Sequence, residues 1–234
     1  MKLGIIGAMD VEIELLKEDL ELKSEVKQAN IKFYEGNLND KEVVLVRSGV
    51  GKVNAALCAQ ILIDRFGVDK VIFTGVAGAV DEKLDVGDIV ISIDTIQHDL
   101  DATPLDYELG EVPEMDKIIF KADEELVELA KEAGEKVKES GEDIKVIKGR
   151  VLSGDQFIAS VEKVNWLREK FKGYCAEMEG AAVGQACFLN DTPFVVIRSM
   201  SDKADGSADV DYPTFMKVAA DRSYQIVEEM LNNI

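Results

Sequence analysis

Short apolar runs alternate with amphipathic segments along the whole chain. The run KLGIIGA (2–8) precedes a segment in which Ile13, Leu16 and Leu20 recur at helical spacing. Similar apolar runs predict strands at 31–38, 41–49, 70–80, 87–96, 144–155, 173–178 and 193–202. Periodic segments predict helices at 9–20, 52–66, 122–139, 160–171, 179–188 and about 213–232. The alternation predicts one α/β domain over residues 1–234, with a mixed, mostly parallel sheet.

The sequence also predicts the structure of two segments that connect these elements. Asn39 and Asp40 separate two β-type runs and predict a hairpin turn. Residues 97 to about 120 contain Pro104 and Pro113 and show little periodicity. A loop of this length inside a compact domain predicts a functional role.

Composition and charge narrow the function classes. The chain has 234 residues, 47% of them hydrophobic, and a formal net charge of −19. So acidic a protein is repelled by nucleic acids and by anionic membranes, and we expect neither as a partner. The first residues lack the pattern of a signal peptide, and no apolar stretch approaches the roughly 18 residues that span a bilayer. We therefore expect a cytoplasmic protein.

Metal and disulfide sites are not indicated. The cysteines at 58, 175 and 187 have neither metal-ligand spacing nor the even count of a disulfide framework, and His98 is the only histidine. We expect no metal and no cofactor.

Glycines and acids recur where the predicted strands end, in GIIGAMD, VRSGVGK, FTGVAG, VLSGDQF, CAEMEG and RSMSD. Ligands bind in the crevice outside the carboxyl ends of strands in α/β sheets. The acids at these ends are Glu12, Asp155, Glu177, Glu179 and Asp202. Few cations accompany them beyond Arg198 and Arg47. Such a site suits hydroxyls, amine-bearing rings and developing positive charge rather than phosphate.

Several of these residues also have simpler interpretations. Lys52 lacks P-loop spacing and is predicted to be a solvated lysine at a helix start. His98 is predicted to make a structural hydrogen bond, and Phe157 and Tyr107 to pack. Glu12 in a first helical turn would complement the helix dipole. The pair Glu177 and Glu179 resists such an interpretation, because its surroundings, CAEMEGAA, read as buried.

The sequence resembles the 5'-methylthioadenosine/S-adenosylhomocysteine nucleosidase family, which has the purine nucleoside phosphorylase-like fold. The resemblance rests on GIIGAMDVE, SGVGKVNAA, TGVAGAV, GDIVIS, HDLDAT, SGDQFI, EMEGAA, PFVVIRSMSD and the last helix, in this order. It implies a three-layer α/β/α domain and hydrolysis of the bond between adenine N9 and ribose C1' in thioether-bearing adenosines. The substrates implied are 5'-methylthioadenosine and S-adenosylhomocysteine, with 5'-deoxyadenosine as a further candidate. A homodimer in which a partner loop completes the 5'-pocket is also implied.

The resemblance also implies a role for each matching residue. Glu12 is similar to the residue that activates water, and Asp202, helped by Ser201, to the acid that serves purine N7. The residues implied in substrate binding are Met178 and Glu179 for the ribose, Phe157 and Ile158 for adenine, and Val50, Tyr107 and Tyr212 for the ribose and 5'-substituent pocket. Gly78 is implied as a further substrate-binding residue, and Arg198 as a residue behind the substrate contacts or beside the water.

The chemistry agrees with these roles. Breaking an N-glycosidic bond builds positive charge on the sugar and negative charge on the base, and general acid–base steps contribute about 10²–10⁴-fold. Asp202 must hold a proton although a free aspartate has a pKa of about 3.9, whereas Glu12 must be ionised. An ionised Glu179 that accepts from the ribose hydroxyls would stabilise the sugar cation. Glu177 is predicted to be structural.

Two positions depart from the family pattern. Val76 stands where many relatives have a hydroxyl residue, and Leu105 stands where an aromatic is common. Val76 cannot donate a side-chain hydrogen bond to the attacking water, and Leu105 predicts a 5'-pocket of different size from that of such relatives.

Three alternatives stay open. The first is a hydrolase of another purine nucleoside, such as futalosine or aminodeoxyfutalosine. The second is a phosphorolytic nucleoside phosphorylase, which would need cations around a phosphate. The third is a nucleoside-binding protein without activity.

Overall fold

The computed structural model describes residues 1–141, 143–203 and 208–234, without the side chains of 208–211. The strands are β1 (Lys2–Gly7), β2 (Glu21–Gln28), β3 (Ile31–Leu38), β4 (Lys41–Arg47), β5 (Lys70–Ala79), β6 (Ile89–Gln97), β7 (Phe120–Lys121), β8 (Val146–Ser153), β9 (Cys175–Glu177) and β10 (Phe194–Asp202). The helices are α1 (Asp10–Asp19), α2 (Lys52–Phe66), α3 (Glu124–Glu139), α4 (Val161–Phe171), α5 (Gly180–Leu189) and α6 (Ala208–Asn233). The α/β class is confirmed.

All the described strands belong to one mixed sheet in the order β10-β6-β8-β9-β5-β1-β4-β3-β2, with β7 beside β6. β10 also pairs with β5, so that five strands close into a ring from which β1, β4, β3 and β2 extend. Parallel pairs are β1–β4, β1–β5, β5–β10, β6–β8 and β8–β9. Antiparallel pairs are β6–β10, β2–β3, β3–β4, β5–β9 and β6–β7. The sheet is mixed as predicted, but among the described strands it is not mostly parallel.

The hairpin predicted at Asn39 and Asp40 joins β3 to β4. Both residues have positive φ angles, 47° and 61°, which match the twist of a two-residue hairpin. Ala29 and Asn30, at 50° and 63°, make a similar turn between β2 and β3.

The differences from the predicted elements have physical reasons. β2 was not predicted because ELKSEVKQ is a polar edge strand, exposed along most of its length. α6 begins five residues before the predicted start, so that Pro213 lies inside the helix. The predicted loop at 97 to about 120 is confirmed between β6 and β7, with a single 3-10 turn at Thr103–Leu105.

Helices cover the sheet through two large apolar clusters. In one, α2 and α5 pack on the strands through residues such as Leu62 and Val183. In the other, α1, α3 and α6 do so through residues such as Leu16, Leu126 and Ile226. None of the helices in the described ranges is long and apolar enough to cross a membrane.

Candidate active site

A cleft of about 560 Å³ opens at the carboxyl ends of β1, β5, β8, β9 and β10. Its lining is mostly apolar but contains the carboxyl groups of Glu12, Glu177, Glu179 and Asp202. The predicted residues that line it are Glu12, Val50, Gly78, Phe157, Ile158, Met178, Glu179, Ser201, Asp202 and Tyr212. The topology therefore gathers residues that lie far apart in the sequence into one cavity.

Two predicted residues do not line the cleft. Tyr107 lies beyond the 3-10 turn in the long loop after β6. Arg198, in β10, is 1% exposed and lies beside the cleft residues Glu177 and Glu12. Arg198 thus contacts residues of the cleft without lining it.

Glu12 is held as a hydrogen-bond acceptor by the backbone. Its Oε2 accepts from the N–H of Ala8 at 2.7 Å and of Met9 at 2.9 Å, and its Oε1 accepts from the N–H of Val76 at 2.9 Å. Burial raises the pKa of Glu12, and the charge of Arg198 and these three N–H groups oppose the rise. A carboxylate whose pKa is raised by burial is a stronger base than an exposed one, and the three donors orient it.

The backbone at Gly75 makes room for this arrangement. A Cβ atom added there would lie 3.0 Å from Arg198 Nη1 and still closer to Glu12 Oε1. The carboxylate and the guanidinium therefore approach the same point of β5, which only a glycine leaves open.

Glu177, the last residue of β9, accepts hydrogen bonds that fix the start of α5. It accepts from Arg198 Nη2 at 2.6 Å, from the N–H of Gly180 and from Ser153 Oγ. Its side chain is 3% exposed. These donors satisfy a charge that burial would otherwise penalise strongly. The structural role predicted for Glu177 agrees with these contacts.

Glu179 lies at the start of α5, where the chain turns after β9. Its Oε1 accepts from the N–H of Gly51 at 2.8 Å. Burial, followed by the charge of Glu177, raises the pKa of Glu179 to about 8. Burial and Glu177 therefore favour the protonated form of Glu179, whereas the sequence predicted a carboxylate.

Asp202 ends β10 and is 2% exposed. Its Oδ1 accepts from Ser201 Oγ at 2.7 Å. This hydrogen bond agrees with the prediction that Ser201 helps Asp202.

Two aromatic side chains, Phe157 and Tyr212, also line the cleft. Phe157, in the loop between β8 and α4, is 54% exposed although it is a large apolar residue. It meets Tyr212 of α6 edge to face, with 5.6 Å between the ring centroids. An exposed ring at a cleft is a surface on which a planar ligand can stack.

Some lining residues were not predicted. Met9 lines the cleft, and its Sδ lies 3.2 Å from the hydroxyl of Tyr212. Gln156 and the small residues Ala8, Ala77 and Ala176 also line it. The stretches GIIGAMD and VLSGDQF contain Met9 and Gln156 and were the signal that could have found them.

His98 does not make the predicted structural hydrogen bond. It is 1% exposed, and neither ring nitrogen has a hydrogen-bond partner within the described residues. Burial lowers its pKa to about 4, so the ring is neutral near pH 7. The described residues also contain no group of three or more metal-ligating side chains placed to hold an ion.

Comparisons with known proteins agree with this geometry. The family described as the phosphorylase superfamily matches residues 2–232. A 5'-methylthioadenosine/S-adenosylhomocysteine nucleosidase of Staphylococcus haemolyticus is 42% identical over 230 residues, which are 98% of either chain. The chain belongs to this nucleosidase family.

Solved structures of the nucleosidase family have the same fold. The Neisseria meningitidis nucleosidase in complex with methylthio-immucillin-A is 41% identical, with a TM-score of 0.94 over 100% of this chain and 99% of that one. A futalosine hydrolase of Helicobacter pylori is 34% identical, with a TM-score of 0.93 over 100% of this chain and 98% of that one. The fold alone therefore does not distinguish these nucleoside substrates.

The two departures from the nucleosidase pattern have different surroundings. Val76 packs its side chain with Ala219 and Ala220, while its N–H holds Glu12. Leu105 is 71% exposed in the loop that carries Tyr107. Val76 thus lines the cleft and also contacts Glu12 through its backbone.

Proposed function

We propose that the protein is an N-glycosidic hydrolase that cleaves 5'-methylthioadenosine and S-adenosylhomocysteine to adenine and the 5-thioribose product. The observation that carries this proposal is that Glu12 and Asp202 line one cleft with Glu179. Family membership and the names of the relatives support the substrates. A nucleoside-binding protein without activity would not need an acid and a base at one cavity.

Glu12 acts as the general base. It takes a proton from the attacking water, and its raised pKa strengthens it for this step. The three backbone N–H donors orient both carboxylate oxygens before the substrate arrives. The positive charge of Arg198 favours the ionised form that the reaction needs.

Asp202 donates a proton or a hydrogen bond to N7 of the leaving adenine, and Ser201 orients the Asp202 carboxyl group. Phe157 and Ile158 bind the base, with the ring of Phe157 available for stacking. Val50, Gly78, Met178 and Tyr212 surround the sugar and its 5'-substituent.

Glu179 binds the ribose hydroxyls. With a pKa of about 8 it can donate from one oxygen and accept with the other in the ground state. As positive charge develops on the sugar, the electron-rich oxygen of Glu179 that accepts from a hydroxyl stabilises the oxocarbenium-like transition state without a change in the protonation of Glu179.

Water rather than phosphate is the nucleophile. Phosphate binding needs convergent cationic donors, whereas the described lining residues of the cleft contain four carboxyl groups and no lysine or arginine. Arg198 is engaged by Glu177. A phosphate dianion in this cleft would be repelled.

The test is adenine release from 5'-methylthioadenosine in phosphate-free buffer and in buffer with added phosphate. The proposal expects the same rate in both and free thioribose as the sugar product. A strict requirement for phosphate, with a ribose 1-phosphate product, would make the protein a phosphorylase.

A second candidate substrate class is motivated by the similarity to a futalosine hydrolase. Adenine or hypoxanthine release across 5'-methylthioadenosine, S-adenosylhomocysteine, 5'-deoxyadenosine, aminodeoxyfutalosine and futalosine ranks these substrates. The first two are expected to have the highest kcat/KM.

We further propose a cytoplasmic homodimer of one three-layer domain over residues 1–234. The layers are supported by helices on two separate apolar clusters of the sheet. The dimer is supported by exposed apolar side chains on α2 and α5, namely Val53, Leu57 and Leu189. Tyr107 and Leu105 then belong to the loop offered to the partner's cleft. Sedimentation that shows a fully active monomer would contradict the dimer.

A further inference from the structure

Lys52, at the start of α2, takes part in a closed ring of hydrogen bonds with two aspartates from other segments. Its Nζ donates to Asp99 Oδ1 at 2.6 Å. Asp99 Oδ2 accepts from the backbone N–H of Asp155 at 2.8 Å. Asp155 Oδ1 accepts from the backbone N–H of Lys52 at 2.9 Å. The ring joins the end of β6, the start of α2 and the loop after β8.

The ion pair of the ring, Lys52 with Asp99, is sheltered from solvent, whereas Asp155 is exposed. The side chains of Lys52 and Asp99 are 18% and 14% exposed, and Lys52 Nζ also donates to Gln97 Oε1 at 3.1 Å. Burial alone would raise the pKa of Asp99, but the hydrogen bonds from Lys52 and from the N–H of Asp155 lower it. Sheltered ion pairs are screened by salt less than exposed ones. Lys52 is therefore not the solvated helix-start lysine that the sequence predicted.

Two members of the ring, Lys52 and Asp155, directly adjoin residues of the cleft lining or their contacts. Gly51, the residue before Lys52, donates its N–H to Glu179 Oε1 at 2.8 Å. Asp155 directly precedes Gln156 and Phe157, which line the cleft. A shift of the ring would therefore displace the donor to Glu179 and the loop that carries Phe157 together.

We propose that Lys52 is a positioning residue for the reaction. Through Asp99 and Asp155 it fixes the N–H of Gly51 against Glu179 and fixes the loop at 156–158 beside the base. This inference rests on the proposed function, which assigns Glu179 to the ribose and residues 157–158 to adenine. Misplacing such groups by 1 Å can reduce the rate about 10²-fold.

The experiment compares Lys52→Met, which keeps the aliphatic stem, with a matched lysine elsewhere. The side chain of Lys70 is 19% exposed and pairs with Glu125 at 2.6 Å. Lys70 is the first residue of β5, at the opposite end of the strand from the cleft. For Lys52→Met, kcat/KM for 5'-methylthioadenosine is expected to fall about 10- to 100-fold, with a rise in the inhibition constant of adenine. Lys70→Met is expected to stay within about twofold of the wild type in both.

Two more variants separate positioning from general stability. Lys52→Arg keeps the cation and is expected to recover most of the lost kcat/KM. Asp99→Asn breaks the same ring, so the double variant with Lys52→Met should be little worse than the more impaired single variant, because both changes remove one coupled unit. Each folded fraction is measured by thermal unfolding, so that rates refer to folded protein.

The inference is overturned if Lys52→Met keeps kcat/KM and adenine inhibition within about twofold of the wild type, or if Lys70→Met loses as much. It is also overturned if the losses of Lys52→Met and Asp99→Asn simply add, or if Lys52→Arg is as impaired as Lys52→Met. A wild-type protein that releases no adenine would instead contradict the proposed function.

Discussion

Arg198 and Glu177 form an ion pair sealed inside the protein, with 2.6 Å between Nη2 and Oε2 and side chains that are 1% and 3% exposed. The pair connects β10 with the end of β9, the two strands that deliver Asp202 and Glu179 to the cleft. Arg198 also stacks over the ring of Phe73 at 4.0 Å. This buried contact explains why the EME sequence can hold two glutamates among apolar residues. Glu177 faces a cation, and Glu179 faces the cleft.

Arg198→Met is expected to lower the free energy of unfolding by about 3–5 kcal/mol, because Glu177 would remain buried without its partner. Turnover should fall as well, since Arg198 favours the ionised form of Glu12. Urea unfolding and adenine release measure the two effects. Arg47→Met, which breaks an exposed pair with Asp10 of similar length, 2.7 Å, is the control and should change stability by less than about 1 kcal/mol. Equal losses in the two variants would contradict this account.

Glu12→Gln is expected to lower kcat by about 10²–10⁴-fold, because an amide cannot take a proton from water. Both oxygens of Glu12 accept backbone N–H groups, so the amide NH₂ of glutamine must face a donor in either orientation. Stability should therefore fall by about 1–3 kcal/mol. Glu14→Gln, an exposed change on the same helix, should alter neither quantity. A Glu12→Gln enzyme with near-normal kcat would remove Glu12 from the role of base.

Gly75→Ala tests the close approach of Glu12 and Arg198. The added Cβ would lie 3.0 Å from Arg198 Nη1 and nearer to Glu12 Oε1, so the carboxylate must move and kcat should fall at least about tenfold. Gly67→Ala is the matched control. A Cβ there meets no atom within 4 Å, but the φ of 63° makes alanine unfavourable by about 1–2 kcal/mol. The control should thus lose stability without losing turnover per folded molecule, and an active Gly75→Ala would show that the approach does not matter.

Asp202→Asn is expected to lower kcat by about 10²–10⁴-fold while the fold is kept. The asparagine carbonyl can still accept from Ser201 Oγ, and its amide can donate a hydrogen bond to N7, but an amide N–H is too weak an acid to transfer its proton. Adenine should therefore still inhibit the variant in competition with substrate. Adenine release measures kcat, and a loss of less than about tenfold would show that N7 is not protonated by this residue.

The sequence predicts some features better than others for identifiable reasons. α3 was predicted within two residues at its start because its apolar positions form a regular stripe above charged ones. The gathering of Glu12 and Asp202 followed from strand ends, because β1 and β10 both run parallel to β5 and end at the same edge. Glu179 follows β9, which is antiparallel to β5 but parallel to β8, whose carboxyl end also adjoins the cleft. The closure of β10 onto β5 was not predictable, because pairing partners are set by register rather than by local pattern. The ring around Lys52 was missed because its members lie far apart in the sequence: Asp99 is 47 residues from Lys52 and 56 residues from Asp155.

Glu179 predicts a pH dependence of stability whose sign can be worked out. Burial and Glu177 raise its pKa from 4.5 in the unfolded chain to about 8 in the folded protein. Between these values the folded state binds more protons than the unfolded state, so this residue lowers the free energy of unfolding as the pH rises from about 4.5 to about 8. Glu179→Gln cannot titrate, and its amide oxygen can still accept from Gly51. The variant should therefore gain stability relative to the wild type steadily over this range and level off above pH 8.

Urea unfolding at several pH values measures the difference, with Glu14→Gln as a control that should run parallel to the wild type. Parallel curves for Glu179→Gln would mean that Glu179 is ionised at pH 7, as the sequence alone predicted.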